Sequence, residues 1–473
     1  MKKNMILLIA FCLILTACGV SGENISPTKE VPTDQIASVP SPTPTPGSLA
    51  SSIPVAVWKG NSGGHLLVPI DPANGQALPG YKSISLGQSF SHAFSPNQHT
   101  LAMVGFVSSE HPHGGSLHLI DLKTWEDQVY ELRLDSYVNA MSFSPDGRQL
   151  GIAYGSEESQ VLIFDLGHGI VTEQSSIDFL VYNMNFTAEG NGLMVYGSEI
   201  KGNEISPHPS IAALFDSTDL SIRWITELKD IRHGVVPKND KIGSQTDLLQ
   251  PGQSIYLFPG LTFATDHNLL YIVHADEDKL TTVDFDRETV KSTEIRAHLS
   301  WIERLLSLTA GVAHAKVAEG TNKRAVISPD GQFIYTVGQR SDLVKIKDDE
   351  WQVNTIPLGM QIIRADDGSR LAYYDTQASE LSISSDGRYL YLRGWGDTQN
   401  STWTQVFDTS TNKFVILLED VWLMPTRRMN GAPILASSVW MDNKKEHHNA
   451  IADSQSVLTE WSSSNYLAWL ITP

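Results

Sequence analysis

Three groups of side chains in this sequence are spaced so as to suggest chemistry. The first is histidine: His111-Pro-His113 followed by His118, on a Gly114-Gly115 hairpin entering a strand, with a second pair at His447-His448. Imidazoles at such intervals suit first-row metals, but no carboxylate or thiolate partner stands at a recognisable interval. Fifteen histidines in 473 residues bring such neighbours about by chance, so neither a metal nor a cofactor is expected. The second group is a series of aspartates at strand ends. Paired carboxylates would suit acid–base work, but these recur at equivalent turn positions, where an Asp caps its own turn. The third is basic. Arg304, His314 and Lys316 lie in an insertion, Ala297 to Gly320, whose part 298–315 carries Leu299, Ile302, Leu305, Leu306, Leu308 and Val312 at helical spacing. A short helical insertion is predicted there, either packed over one face of the body or docking a partner. No catalytic residue is assigned. The Gly-x-Ser-x-Gly elbow, the Gly-x-x-x-x-Gly-Lys loop and His-Glu-x-x-His are all absent.

The N-terminus carries an address. Lys2 and Lys3 precede an unbroken apolar run, Met5 to Leu15. Eleven residues fall short of the roughly 20 that span a bilayer and fit the apolar region of a secretory signal. The run ends in Leu15-Thr16-Ala17-Cys18-Gly19. This resembles the lipobox of bacterial lipoproteins. The resemblance implies a diacylglycerol on the Cys18 thiol, cleavage after Ala17, and export to the outside of the bacterial cell membrane, or to an outer membrane if one exists. Cys12 would leave with residues 1–17, and the mature chain would keep one blocked cysteine and form no internal disulfide. Loss of Lys2 and Lys3 leaves 32 basic against 53 acidic residues, a net −21. Residues 18–52 then form a tether. Its stretch Ser38 to Gly47, Ser-Val-Pro-Ser-Pro-Thr-Pro-Thr-Pro-Gly, excludes helix and central strand and favours an extended polyproline conformation.

Residues 53–473 are built on a repeat. One motif reads Phe94-Ser-Pro-Asn97, Phe143-Ser-Pro-Asp-Gly147, Phe186-Thr-Ala-Glu-Gly190, Phe263-Ala-Thr-Asp-His267, Ile327-Ser-Pro-Asp-Gly331 and Ile383-Ser-Ser-Asp-Gly387. Seven residues after each first position comes Leu101, Leu150, Leu193, Leu270, Ile334 or Leu390, opening a β-rich run. Strand, turn and strand follow from this order. Pro presets the first turn position, Asp or Asn caps the turn, and Gly supplies positive φ. A second motif is an apolar strand ending in Asp121, Asp165, Asp216, Asp284 or Asp408, with weaker copies at Leu66–Asp71 and Val344–Asp348. Each unit thus provides two hairpins. The pattern resembles bacterial β-propellers of the WD40-like, Ser-Pro-Asp-Gly type, and implies an all-β ring of four-stranded blades. Seven blades are favoured and eight are the alternative, the eighth drawn from Pro433 to Thr472. Blade 1 has strand candidates at Val55–Trp58, Leu66–Ile70 and Ser83–Leu86. A strand within Tyr466–Thr472 is expected to close the ring on these N-terminal strands.

Composition narrows the function. With 53 acidic against 34 basic residues, nucleic acid and anionic lipid surfaces are disfavoured. Two cysteines exclude a disulfide scaffold. A lipid-anchored, extracytoplasmic binding or scaffold module for a protein, peptide or glycan partner is the favoured function. The alternative is a propeller enzyme, lactonase-like or a cofactor-dependent dehydrogenase, with its site at the central channel mouth. The anchor is directly testable. The wild-type chain, expressed in a bacterium fed labelled palmitate, should incorporate label and pellet with membranes. Cys18→Ala should lose both properties, and a variant that still carries label would rule out Cys18 as the attachment point.

Overall fold

The computed structural model describes residues 55–471, except segments 60–64, 107–114, 200–208, 238–253, 298–316, 348–349, 396–401, 420–434, 442–445, 453–456 and 464–465 and positions 72, 73, 88, 98, 135, 157 and 385. Cys18, Ala17, Arg304, His314, Lys316, His111, His113 and the predicted helical stretch lie outside the described residues. Among the described residues there is no α-helix, and one 3-10 turn spans Thr265–His267.

The strands fall into sheets in chain order. β1 (Val55–Lys59), β2 (His65–Pro69) and β3 (Ile84–Gly87) begin the first. The second comprises β4 (Ser89–Phe94), β5 (Thr100–Phe106), β6 (Gly115–Asp121) and β7 (Asp127–Leu132). Then come β8 (Val138–Phe143), β9 (Gln149–Gly155), β10 (Ser159–Asp165) and β11 (Ile170–Ile177). The fourth is β12 (Leu180–Phe186), β13 (Gly192–Ser198), β14 (Pro209–Asp216) and β15 (Ile222–Arg232). An excursion, β16 (Gly234–Pro237) and β17 (Ser254–Phe258), precedes the fifth sheet of β18 (Gly260–Ala264), β19 (Leu269–Val273), β20 (Lys279–Asp284) and β21 (Thr289–Glu294). After the two-residue β22 (Arg296–Ala297), the sixth is built from β23 (Val317–Ile327), β24 (Phe333–Lys347), β25 (Glu350–Pro357), β26 (Met360–Arg364) and β27 (Ser369–Tyr374). The seventh is β28 (Glu380–Ile383), β29 (Tyr389–Trp395), β30 (Thr402–Asp408) and β31 (Lys413–Glu419). The last stretch gives β32 (Leu435–Met441), β33 (Glu446–Ala452), β34 (Val457–Ser463) and β35 (Tyr466–Ile471).

All but two of the strand pairings are antiparallel, and β35 pairs with β1, so the first sheet runs β3-β2-β1-β35. Neighbouring sheets pack face to face. Leu67, Leu86, Leu101 and Ile120 join the first sheet to the second. Val104, Leu119, Leu150 and Phe164 join the second to the third, and Ile163, Phe186 and Phe215 the third to the fourth. Tyr196, Leu270 and Phe285 continue the series into the fifth sheet, Val273 and Ile334 into the sixth, and Ile362 and Phe407 into the seventh. First strands lie side by side, β4 against β8, β8 against β12, β18 against β23 and β23 against β28, and β32 lies against β35. Four-stranded meanders packed in series, with their first strands adjacent and the first and last described strands joined in one sheet, define a β-propeller.

Two details differ from the repeat count. It favours seven units, whereas the described strands form eight sheets, the additional one being the three-stranded β32-β33-β34 within the stretch that the eight-blade alternative assigns. The weak copy at Val344–Asp348 is also not a separate blade strand. Its Val344–Lys347 continue β24, and the third strand of the sixth blade is β26. The last part of β24, Gln339–Lys347, pairs with β25 instead.

The Ser-Pro-Asp-Gly motif closes the turn between the first two strands of a blade. In the third sheet the Ser144 hydroxyl donates to Asp146 Oδ1 (2.6 Å) and accepts from the Gln149 amide (2.9 Å). Asp146 Oδ1 also accepts from the Arg148 amide (3.0 Å), and Gly147 sits at φ 71°. Ser328 with Asp330, and Ser384 with Asp386, repeat the arrangement. Where the motif diverges to Thr187-Ala-Glu-Gly190, Thr187 Oγ1 still accepts from the Gly192 amide (3.1 Å). The turns also interlock. A Cβ on Gly190 would lie 3.3 Å from Pro145 of the preceding blade, and one on Gly387 would lie 2.5 Å from Pro329. The strand-end aspartates cap the next turn, as Asp121 does for the Lys123 and Thr124 amides at 2.7 and 2.9 Å.

Joining the chain ends should dominate stability, because without β35 the edge of β1 is bare. Deleting residues 466–473 is expected to lower the melting temperature followed by circular dichroism by on the order of 10 °C. An unchanged melt would show that the ring is stable without this pairing.

Candidate functional site

The first strands of the blades run towards the interlocked turns, and a cavity opens where those turns gather. It measures about 610 Å³ and is lined by β4 (His92, Ala93, Phe94), β8 (Met141, Ser142, Phe143) and β12 (Asn183, Met184, Asn185). Ser95, Pro96 and Pro145 of the turns, and Thr265 and Asp266 of the 3-10 turn, complete the rim. Strand alternation explains the lining. Phe143 and Phe186 are buried between blades, so the residue before each, Ser142 or Asn185, belongs to the opposite face. The Ser142 hydroxyl donates to Asn185 Oδ1 (2.7 Å), and Asn185 Nδ2 donates to Thr265 Oγ1 (2.9 Å). One amide thereby spans three blades with both ends satisfied.

The mouth carries two ionisable side chains among its described lining residues, His92 and Asp266. The remaining polar groups are hydroxyls and amides. Of Ser142, Asn185 and Thr265, only Thr265 falls within the repeat motif. Counting one residue back from the repeat's Phe143 and Phe186 would have found the first two.

Of the histidines singled out in the sequence, His118, His447 and His448 are among the described residues. His118, on β6, is buried, and its Nδ1 lies 2.9 Å from Asp127 Oδ2 on β7. It is held within its own blade. His447 and His448 fall in β33. Among the described residues no three His, Cys, Asp or Glu side chains come together as a metal site.

A different histidine is embedded in an aromatic stack at the other end of the first strands. His233 follows β15, and its ring is stacked on Tyr182 (centroids 4.0 Å, 8°) with Phe258 edge-on at 5.6 Å. The Tyr196 hydroxyl lies 3.2 Å from His233 Nδ1 and 2.9 Å from Ser210 Oγ. Burial, and secondarily the charge of Arg324, hold the imidazole at a pKa of about 4. Burial likewise pushes the Tyr182 and Tyr196 phenols up.

No protein-family profile matches the chain, and no curated protein sequence matches it. Among solved structures it is similar to the dihydro-heme d1 dehydrogenase NirN in complex with DHE, at 11% identity over 88% of this chain and 76% of that one, TM-score 0.48. It is also similar to the Cps50 (Swd1) β-propeller domain of Myceliophteria thermophila, at 12% identity over 75% and 94%, TM-score 0.43. A third is Kuenenia stuttgartiensis hydrazine synthase, at 15% identity over 76% and 94%, TM-score 0.39. At these identities and scores the likenesses assign no function.

The neutral His233 links stability to pH. Its folded pKa lies below its unfolded value, so the unfolded state binds more protons between about pH 6.5 and 4. Its contribution is fully present above pH 6.5 and is lost as pH falls. Urea melts at pH 7 and pH 4.5 should show a steeper loss of stability for the wild type than for His233→Phe. Identical pH slopes would show that His233 is not buried in its neutral form.

Proposed function

We propose that this chain is a lipid-anchored, extracytoplasmic propeller that binds a protein or peptide partner at the channel mouth. The single observation that carries the proposal is the character of that mouth. Hydroxyls and amides, already positioned by the Ser142–Asn185–Thr265 chain, alternate there with Phe94, Met141 and Met184. A peptide backbone presents alternating donors and acceptors with apolar side chains, and a sparsely charged, preorganised surface of this kind suits it. An acid–base enzyme would call for several convergent ionisable groups, and the described lining supplies His92 and Asp266. The lipobox-like Leu15 to Cys18 and the proline-rich tether support placing this mouth outside the cell, at a distance from the membrane set by residues 18–52.

A photo-crosslinking amino acid at Asn183 tests the assignment in cells. A discrete adduct is expected from that position and none from Val129, which is 52% exposed on the outer strand β7. Asn185→Leu, which breaks the inter-blade chain, should reduce the adduct at position 183 several-fold. Equal adducts from both positions, or none from 183, would overturn the proposal.

A further inference from the structure

The sheet of the sixth blade is extended beyond a four-stranded meander by β16 and β17. β17 runs parallel to the start of β23, on the side away from β24. Register places Tyr256 beside Gly320 and Gly320 beside Ser341, and in the next row on the same face Phe258 beside Asn322 and Asn322 beside Gln339. The intervening row, Leu257 and Thr321, faces the other way, and Leu257 is buried against Ala275. The first face is open. Tyr256 is 46% exposed and Phe258 38%. Together with Thr321, these residues line a groove of about 190 Å³.

We infer that this groove binds a neutral saccharide, taking one pyranose ring at a time. The site stands at the beginning of β23, whereas the channel mouth stands where the first strands end, and the inference does not rest on the function proposed for the mouth. Four observations favour a sugar. The first is size, since pockets for drug-sized ligands and cofactors run to roughly 300–1,000 Å³ and this groove has room for about one six-membered ring. The second is the lining, which joins two aromatic rings to hydroxyls and carboxamides and, among the described residues, contains no charged side chain. This lining matches a ring with apolar C–H faces and hydroxyl edges better than a phosphate or carboxylate. The third is Asn322 Oδ1, which is shielded from solvent and has no hydrogen-bond partner among the described residues. A buried acceptor left unmade is costly, and a ligand hydroxyl would satisfy it. The fourth is rigidity. Phe258 rests edge-on against His233, itself stacked on Tyr182, so the ring is held before a ligand arrives. Gly320 keeps the floor open, and a Cβ there would fall 2.6 Å from the Tyr256 carbonyl oxygen.

The test uses the full-length chain and four probes: cellotriose, maltotriose, chitotriose and xylotriose. Saturation-transfer NMR should show transfer to at least one of them at about 10 mM, and calorimetry should return a millimolar or tighter Kd. For that probe Tyr256→Ala and Phe258→Ala should each weaken binding about tenfold. Tyr256→Phe, which keeps the ring, should remain within about threefold, and Tyr373→Ala, 51% exposed on the outer strand β27, should leave binding unchanged. Gln339→Ala tests the polar side of the groove without altering either aromatic ring and should also weaken binding. Melting curves on every variant confirm that each is folded. No transfer to any of the four probes would overturn the inference, as would binding that survives both aromatic substitutions.

Discussion

The antiparallel pairing of β35 with β1 is the constraint on which the rest of the structure depends. Each blade buries its apolar surface against the next one, as Leu150 and Phe164 do against Leu119 and Val104. Such a series has no natural end, and an open one would leave a sheet face and a strand edge in water. Completing the β3-β2-β1 sheet with the last strand of the chain provides the end. A long-range pairing of this kind forms late, since its loop-closure entropy precedes any gain. Once made, it fixes where β4, β8 and β12 stand, and so fixes the mouth that they line.

Much of the fold is legible because the repeat writes its turns in side-chain chemistry. Ser144, Asp146 and Gly147 have one geometric role each, a hydroxyl that closes the turn, a carboxylate that caps it and a residue at positive φ. The same roles recur wherever the letters recur. They survive partial loss of the motif, as Thr187 shows by taking over the serine's acceptor role. The β32-β33-β34 sheet was harder to count because it carries no such turn motif. The long β24 departs from its sequence pattern for a related reason. Its apolar part, Phe333 to Val337, looks like a complete strand, and only tertiary pairing with β25 extends it through the polar Gln339–Lys347.

The sites were less legible than the fold. Sequence motifs report turns, whereas Ser142, Asn185 and Thr265 meet only because three blades converge on an axis, with 80 residues separating Asn185 from Thr265. The groove on the sixth blade is more remote still, since Tyr256 and Gly320 become neighbours through a parallel pairing no local pattern announces. Of the histidine cluster most conspicuous in the sequence, only His118 is among the described residues. His118 is held by Asp127 on the adjacent strand and takes no part in any convergent group among the described residues.

The two ends of the first strands therefore have different physical characters. At the turn end, closely similar short turns interlock blade to blade through contacts such as Gly190 on Pro145, and a hydrogen-bonded amide ties three blades together. Such an end moves little, and a partner bound there meets a preformed surface. At the opposite end some blades carry strands beyond the repeat. The excursion through β16 and β17 and the extension of β23 and β24 belong to one blade each and repeat nowhere else among the described residues. On a rigid scaffold the places where the repeat is broken are free to vary, and the exposed aromatic pair Tyr256 and Phe258 stands on such an inserted strand.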